Sequence, residues 1–171
     1  RLSRGVTFTS SISGLFIGGG KAVSIRGAQT DKTPELMRKF GEYVDSLSGK
    51  YITAEDVGME TKDMDTVREV TKYVTGISES KGGSGNPSPI TAYGVFMGMK
   101  AAAKHKFGVD NLAGKRVLVQ GIGHVGEVLV QHLTNEGAFV TISDINENRL
   151  HEVGSKYGAK IFTGNDLYSL D

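Results

Sequence analysis

Hydrophobic and polar residues alternate in two different rhythms along this chain. From Val117 to Asp144 the rhythm changes twice. Val117-Leu118-Val119-Gln120 is a short apolar run, and Gly121-Ile122-Gly123-His124-Val125-Gly126 interrupts it. A helix-like pattern then continues to Glu136, and Phe139-Val140-Thr141-Ile142-Ser143 forms a second apolar run closed by Asp144. The pattern predicts strand, tight turn, amphipathic helix and parallel strand. A further helix is expected over Asn146–Tyr157 and a strand over Lys160–Phe162, before the start of another element.

Upstream the same signals are weaker. Arg1 to Phe8 resembles the end of a helix, and Ser11 to Ile17 is a small-residue segment leading into Gly18-Gly19-Gly20-Lys21. Ala22–Ile25 reads as a short strand. Asp31 to Thr33 supplies a cap and Pro34 suits a first helical position. Leu36, Met37, Phe40, Val44 and Leu47 then recur at helical spacing until Gly49. Tyr51–Ala54 reads as a strand, Asp63–Tyr73 as a helix, and Val74–Ile77 as a short apolar run. Glu79 to Pro89 is the densest cluster of helix- and strand-breaking residues. Ile90–His105 follows as a long helix rich in Ala, Met and Lys, and Asp110–Gly114 as a turn.

Alternating strands and helices predict an α/β fold in two parts. A partial substrate or catalytic domain spans residues 1–86, and a partial dinucleotide-binding domain with a parallel sheet spans residues 87–171. Composition narrows the function. With 20 Lys and Arg against 19 Asp and Glu, and no basic block, nothing points to nucleic acid or a membrane surface. No apolar run is long enough for a bilayer and no signal peptide is present, so the cytoplasm is expected. Cysteine is absent, which removes disulfides, thiolate metal sites and cysteine nucleophiles, and no metal is expected. The first residue is Arg1 and the sheet is only begun at Asp171, as expected of a fragment.

The glycine-rich turn fits a dinucleotide site in its full context. Gly121 permits the turn off the strand, Gly123 lets a pyrophosphate approach the backbone, and Gly126 lets helix and strand pack closely. The helix start at His124 and Val125 offers free N–H groups to phosphate. His124 itself reads as a helix-start residue facing solvent or phosphate. Asp144, about 20 residues on, is placed to accept ribose hydroxyls and to repel a 2′-phosphate, which favours NAD over NADP.

A second constellation lies upstream. Three glycines beside Lys21 bare the backbone so that a small substrate can come close. A lysine held there against apolar neighbours has its charged form disfavoured, as a general base requires. Glu55-Asp56 places carboxylates at a sheet edge. Taken alone, the glycines and lysine also read as a flexible loop, and the acids as a turn or cap. Together with the dinucleotide unit they suit a cleft, with substrate on one side and NAD on the other.

These residues resemble a known family. Gly18-Gly19-Gly20-Lys21, Tyr51-Ile52-Thr53-Ala54-Glu55-Asp56-Val57-Gly58, Tyr73-Val74-Thr75-Gly76, Gly85-Asn86-Pro87-Ser88-Pro89, Thr91-Ala92-Tyr93-Gly94-Val95, Gly98-Met99-Lys100-Ala101-Ala102 and the stretch from Gly121 to Asp144 carry the resemblance. It is to the glutamate/leucine/phenylalanine/valine dehydrogenase superfamily, nearest its leucine dehydrogenase branch. The resemblance implies reversible NAD-dependent oxidative deamination of an apolar, branched-chain L-amino acid to its 2-oxo acid and ammonia, by a homo-oligomer. It implies Lys21 as the lysine that activates water, and Asp56 as the carboxylate exchanging a proton with the amino group. Thr91 is implied to bind the nicotinamide carboxamide and Ala54 to line the side-chain pocket, with Gly19 and Gly20 at the substrate. Gly121, Gly123, His124, Val125, Gly126 and Asp144 would form the cofactor site. The chain departs from the family at Thr9, where a lysine for the substrate carboxylate is expected, and at Phe16, where asparagine is usual. Both lie on the substrate side. A dinucleotide-binding module with impaired substrate binding is therefore the alternative reading.

Overall fold

In the computed structural model, residues 1–24, 32–164 and 166 are described. The chain divides into two compact units, residues 1–87 and 88–171. The expected α/β class is observed, with a parallel three-stranded sheet in the second unit.

In the first unit, α1 (Leu2–Ile12) extends past the expected helix end at Phe8. α2 (Pro34–Ser46) starts where Thr33 accepts the Leu36 N–H, with proline in the first turn. Met37, Gly41 and Val44 turn inward, while Leu36 and Leu47 stay exposed. Gly41 is needed because a Cβ there would lie 2.5 Å from a Val70 methyl. α3 (Thr61–Arg68) is displaced from the expected Asp63–Tyr73. A capping box between Glu60 and Asp63 fixes its earlier start. Past Arg68 the chain tightens, with the Val70 and Thr71 N–H groups both returning to Val67 O. Met37, Met64, Val67, Val74 and Ile77 form the core, flanked by Phe40 and Met59.

Two expected strands are corrected here. Tyr51–Ala54 contributes a single parallel bridge, Thr53 to Val74. Ala22–Ser24 is not a strand, and Ile25, like the expected cap residue Asp31, lies outside the described residues. Strand-forming side chains make a strand only where a neighbouring backbone completes the ladder, and among the described residues of these two stretches only Thr53 meets one. The breaker cluster carries one short 3-10 turn, Glu79–Lys81. Asp65 holds it, accepting the Ser78 N–H and hydroxyl at 2.8 Å each.

The second unit opens with α4 (Ser88–Phe107), longer at both ends than expected. β1 (Arg116–Gln120), α5 (His124–Asn135), β2 (Phe139–Ser143), α6 (Glu147–Tyr157) and β3 (Lys160–Ile161) follow. The strand order is β1-β2-β3, all parallel, with Val117 opposite Val140 and Val119 opposite Ile142. Ile122, Val130, Leu133, Ile142 and Val153 are fully buried between sheet and helices. This arrangement sends the carboxyl ends of β1 and β2 to the Gly121 loop and to Asp144.

Candidate functional site

The first cluster of site residues lies wholly within the first unit. Gly19 donates its N–H to the Thr7 hydroxyl at 2.8 Å, which ties the glycine loop to α1. A Cβ on Gly19 would sit 2.0 Å from Ser3 O and 2.5 Å from Thr7 N. One on Gly20 would sit 2.5 Å from the Tyr51 ring. Both glycines are thus required by close packing of the chain itself, whereas a Cβ at Gly18 would meet open space. The loop delivers Lys21 to Asp56, and the two side chains form an ion pair. Lys21 therefore meets a carboxylate, not the apolar neighbours expected of it. The two are partly solvated, at 29% and 49% side-chain exposure.

A tight turn shapes the Asp56 side of the pair. Val57 N–H donates to Asp56 Oδ1 at 2.7 Å, Met59 N–H donates to Asp56 O at 2.9 Å, and Gly58 takes a left-handed φ of 79°. The neighbouring Glu55 accepts the Thr61 hydroxyl at 3.0 Å, so it serves the start of α3. Ala54 is exposed beside the Thr53 bridge. Thr9 is exposed on α1, and its hydroxyl donates to Val6 O at 3.0 Å.

The second cluster belongs to the second unit. Gly121 adopts φ 88°, open to glycine and strained for other residues. Gly126 faces it so closely that a Cβ would fall 2.0 Å from Gly121 O. Gly123 caps α5 with extended backbone, and nothing lies within 4 Å of where its Cβ would be. His124 is exposed at the helix start, while Val125 packs on the core. Intrahelical bonding of α5 begins with Glu127 N–H to Gly123 O at 3.0 Å. The preceding amides form the open amino end that suits phosphate.

Asp144 closes this cradle. Its carboxylate accepts Ile122 N–H at 2.8 Å and Asn146 N–H at 2.9 Å, joining the glycine loop to the end of β2. These amides, Ile122 first, hold the carboxyl below the usual aspartate range despite partial burial. Each carboxylate oxygen keeps lone-pair capacity for a ribose hydroxyl. The bare backbone at Gly123, the helix start and this carboxylate fit a dinucleotide. Thr91 lies on the exposed side of the first turn of α4.

Sequence reasoning missed Glu127. Its carboxylate pairs with Arg149 and, at 2.8 Å, with Lys156 of α6. Lys156 first, then Arg149, hold it below the usual glutamate range against partial burial. The signal was present as an acid in the first turn of one helix and two cations on the next. No spacing rule connects separate helices.

Comparison with known proteins gives these clusters a context. Residues 1–73 match the family model described as Glu/Leu/Phe/Val dehydrogenase, dimerisation domain. Residues 82–158 match Glutamate/Leucine/Phenylalanine/Valine dehydrogenase. The whole chain is 50% identical to leucine dehydrogenase of Bacillus subtilis and 42% identical to L-tryptophan dehydrogenase of Nostoc punctiforme. In each case it covers 47% of the relative, so the chain spans about half the length of the curated relatives it matches. The crystal structure of L-tryptophan dehydrogenase from Nostoc punctiforme superposes with a TM-score of 0.67 at 38% identity, over 100% of this chain and 47% of that one. A glutamate dehydrogenase from Thermus thermophilus shares the fold, with a TM-score of 0.68 at 23% identity over 93% of this chain and 44% of that one. Two models of one family match successive stretches, and the likeness to its curated members runs through the entire chain: it belongs to the glutamate/leucine/phenylalanine/valine dehydrogenase family.

Proposed function

We propose that the full-length protein catalyses reversible NAD-dependent oxidative deamination of an apolar, branched-chain L-amino acid, giving the 2-oxo acid and ammonia. The ion pair of Lys21 and Asp56 carries this reading, because it joins an amine and a carboxylate as a proton-exchanging couple. A bound nicotinamide would supply the acceptor for the hydride lost from the amino acid Cα. Asp56 takes a proton from the substrate ammonium, freeing the nitrogen lone pair needed for the imine. Lys21, acting from its neutral amine form, takes a proton from water as the water oxygen bonds to the imine carbon. One member of the couple then returns a proton to nitrogen while the other takes the hydroxyl proton, so that the C=O of the 2-oxo acid forms as the C–N bond breaks and ammonia leaves. Gly121, Gly123, His124, Val125, Gly126 and Asp144 bind the pyrophosphate and adenosine ribose, and Thr91 the nicotinamide carboxamide. Gly19, Gly20 and Ala54 border the substrate. The first unit is thus part of a substrate domain and the second part of a Rossmann domain. A homo-oligomer in the cytoplasm belongs to the same proposal, supported by the dimerisation domain matched over residues 1–73.

Thr9 favours a second reading, a dinucleotide-binding module with impaired substrate binding. Its hydroxyl is neutral and already donates to Val6 O. A buried substrate carboxylate deprived of a cation loses about 2–5 kcal/mol. The test is NADH formation by the full-length protein with leucine, valine, isoleucine or phenylalanine. Turnover with at least one of them is expected. No turnover with any, before or after Thr9→Lys, rejects the dehydrogenase reading. Activity restored only by Thr9→Lys establishes the second.

A further inference from the structure

One carboxylate joins α5 to α6 beside the nucleotide cradle. Glu127, in the first turn of α5, receives the Arg149 guanidinium on one oxygen and Lys156 Nζ on the other, the latter at 2.8 Å. The Tyr157 hydroxyl is 3.4 Å from the same group. Only 17% of the Glu127 side chain is exposed. Arg149 spends its other terminal nitrogen on Glu152, at 2.8 Å. Both ends of the guanidinium fork are therefore engaged.

Arg149 is close to the place where NAD and NADP differ. The Asn146 side chain accepts the Arg149 backbone N–H at 3.1 Å, and the Asn146 backbone N–H donates to Asp144 at 2.9 Å. These two bonds of backbone amides place the first turn of α6, and with it the Arg149 main chain, beside the carboxylate assigned to the ribose. The charge of Arg149 also helps hold the Asp144 carboxyl below its usual range, after the backbone amides. An arginine near this strand end is a natural partner for a 2′-phosphate, which takes its fork in paired hydrogen bonds. Here the arginine is in place but turned to other acids.

We propose that Glu127 is a specificity-determining residue of the dinucleotide site, holding Arg149 against α5 and away from the ribose 2′ position. A 2′-phosphate then meets Asp144 without a compensating cation. Glu127 and Asp144 enforce the same choice by different means, one by withholding attraction and the other by repulsion. The proposal rests on the NAD reading above and extends it to a residue outside the glycine motif.

The experiment measures NADH and NADPH affinity of the full-length protein by calorimetry. Asp144→Asn serves as background, since it removes the charge and keeps an acceptor for Ile122 N–H. Adding Glu127→Gln is expected to tighten NADPH binding about tenfold, the size of one charge-assisted hydrogen bond, with NADH affinity held. Adding Arg149→Ala to that pair is expected to cancel the gain. Equal NADPH affinity with and without Glu127→Gln overturns the proposal, as does a gain that survives loss of Arg149. Should Glu127→Gln not fold, Glu127→Asp keeps the charge and shortens its reach. A smaller NADPH gain supports the proposal and none overturns it. A wild type that binds neither dinucleotide instead rejects the NAD reading itself, and the inference with it. A wild type preferring NADPH likewise rejects the NAD reading and the inference that rests on it, whereas a wild type preferring NADH whose NADPH affinity does not respond to Glu127→Gln overturns the inference alone.

Discussion

Gly126 and Gly123 stand three residues apart in one motif, yet the structure asks different things of them. A Cβ at Gly126 collides with the carbonyl of Gly121 at 2.0 Å, and no side-chain rotation relieves a backbone clash. Gly126→Ala is expected to cost about 1–3 kcal/mol, the usual range for overpacking, and to weaken dinucleotide binding. Gly123→Ala points into open space and is expected to spare stability while weakening NADH binding. Denaturant unfolding and NADH titration of the full-length variants check both. Equal stability losses would contradict the distinction. The motif in the sequence separates these two roles, because its spacing fixes turn, approach and packing together. Lys21 was legible only as chemistry. The glycines beside it suggested open access and apolar walls. Instead Gly19 and Gly20 pack on Ser3, Thr7 and Tyr51, and Lys21 meets Asp56. A pair so distant in sequence has no periodicity to announce it.

Among the elements, those with a full period and clear punctuation were legible. β1, α5, β2 and α6 carry apolar faces bounded by Gly121, Gly137 and Asn146, and their extents differ little from expectation. The stretch at 51–54 has strand-forming residues but one bridging partner, which no local pattern reveals. The start of α3 depended on a contact outside the helix. Asp63 is buried, accepts Glu60 N–H at 2.7 Å and pairs with Lys32 at 2.6 Å, while Lys32 also donates to Gly58 O at 3.1 Å. Lys32→Met leaves that carboxylate without its cation. A loss of about 3–5 kcal/mol is expected, as for other broken buried pairs. Chemical denaturation measures it, and a change within error would show that the amide alone satisfies Asp63.

At the scale of the whole molecule the class and the family were legible, since both follow from long motifs spread along the chain. The distribution of acid sensitivity was not, because it depends on contacts between elements. Asp65, Glu127, Glu136 and Asp144 are each held below the usual carboxylate range. Ser78 N–H does this for Asp65, Lys156 for Glu127 and Ile122 N–H for Asp144. Burial opposes ionisation of Glu136, and Lys100 with the Leu112 N–H outweighs it. Depressed folded values contribute stability that is present above the unfolded carboxylate range, about pH 4, and lost as pH falls through the folded values. Three of these four groups lie in the second unit, and the other lowered carboxyl of the first unit, Glu35, is exposed. Thermal unfolding against pH is therefore expected to show acid destabilisation beginning near pH 4, led by the second unit. A first unit that melts earlier would contradict this.

Lys21 decides the account. The direct measurement is NADH formation from L-leucine by the full-length protein and its Lys21→Ala variant, with NADH affinity determined alongside. Turnover is predicted to fall about 10²–10⁴-fold, the range for losing one acid–base group, while NADH affinity holds. A variant that turns over like the wild type would contradict the assignment of Lys21 to the chemistry.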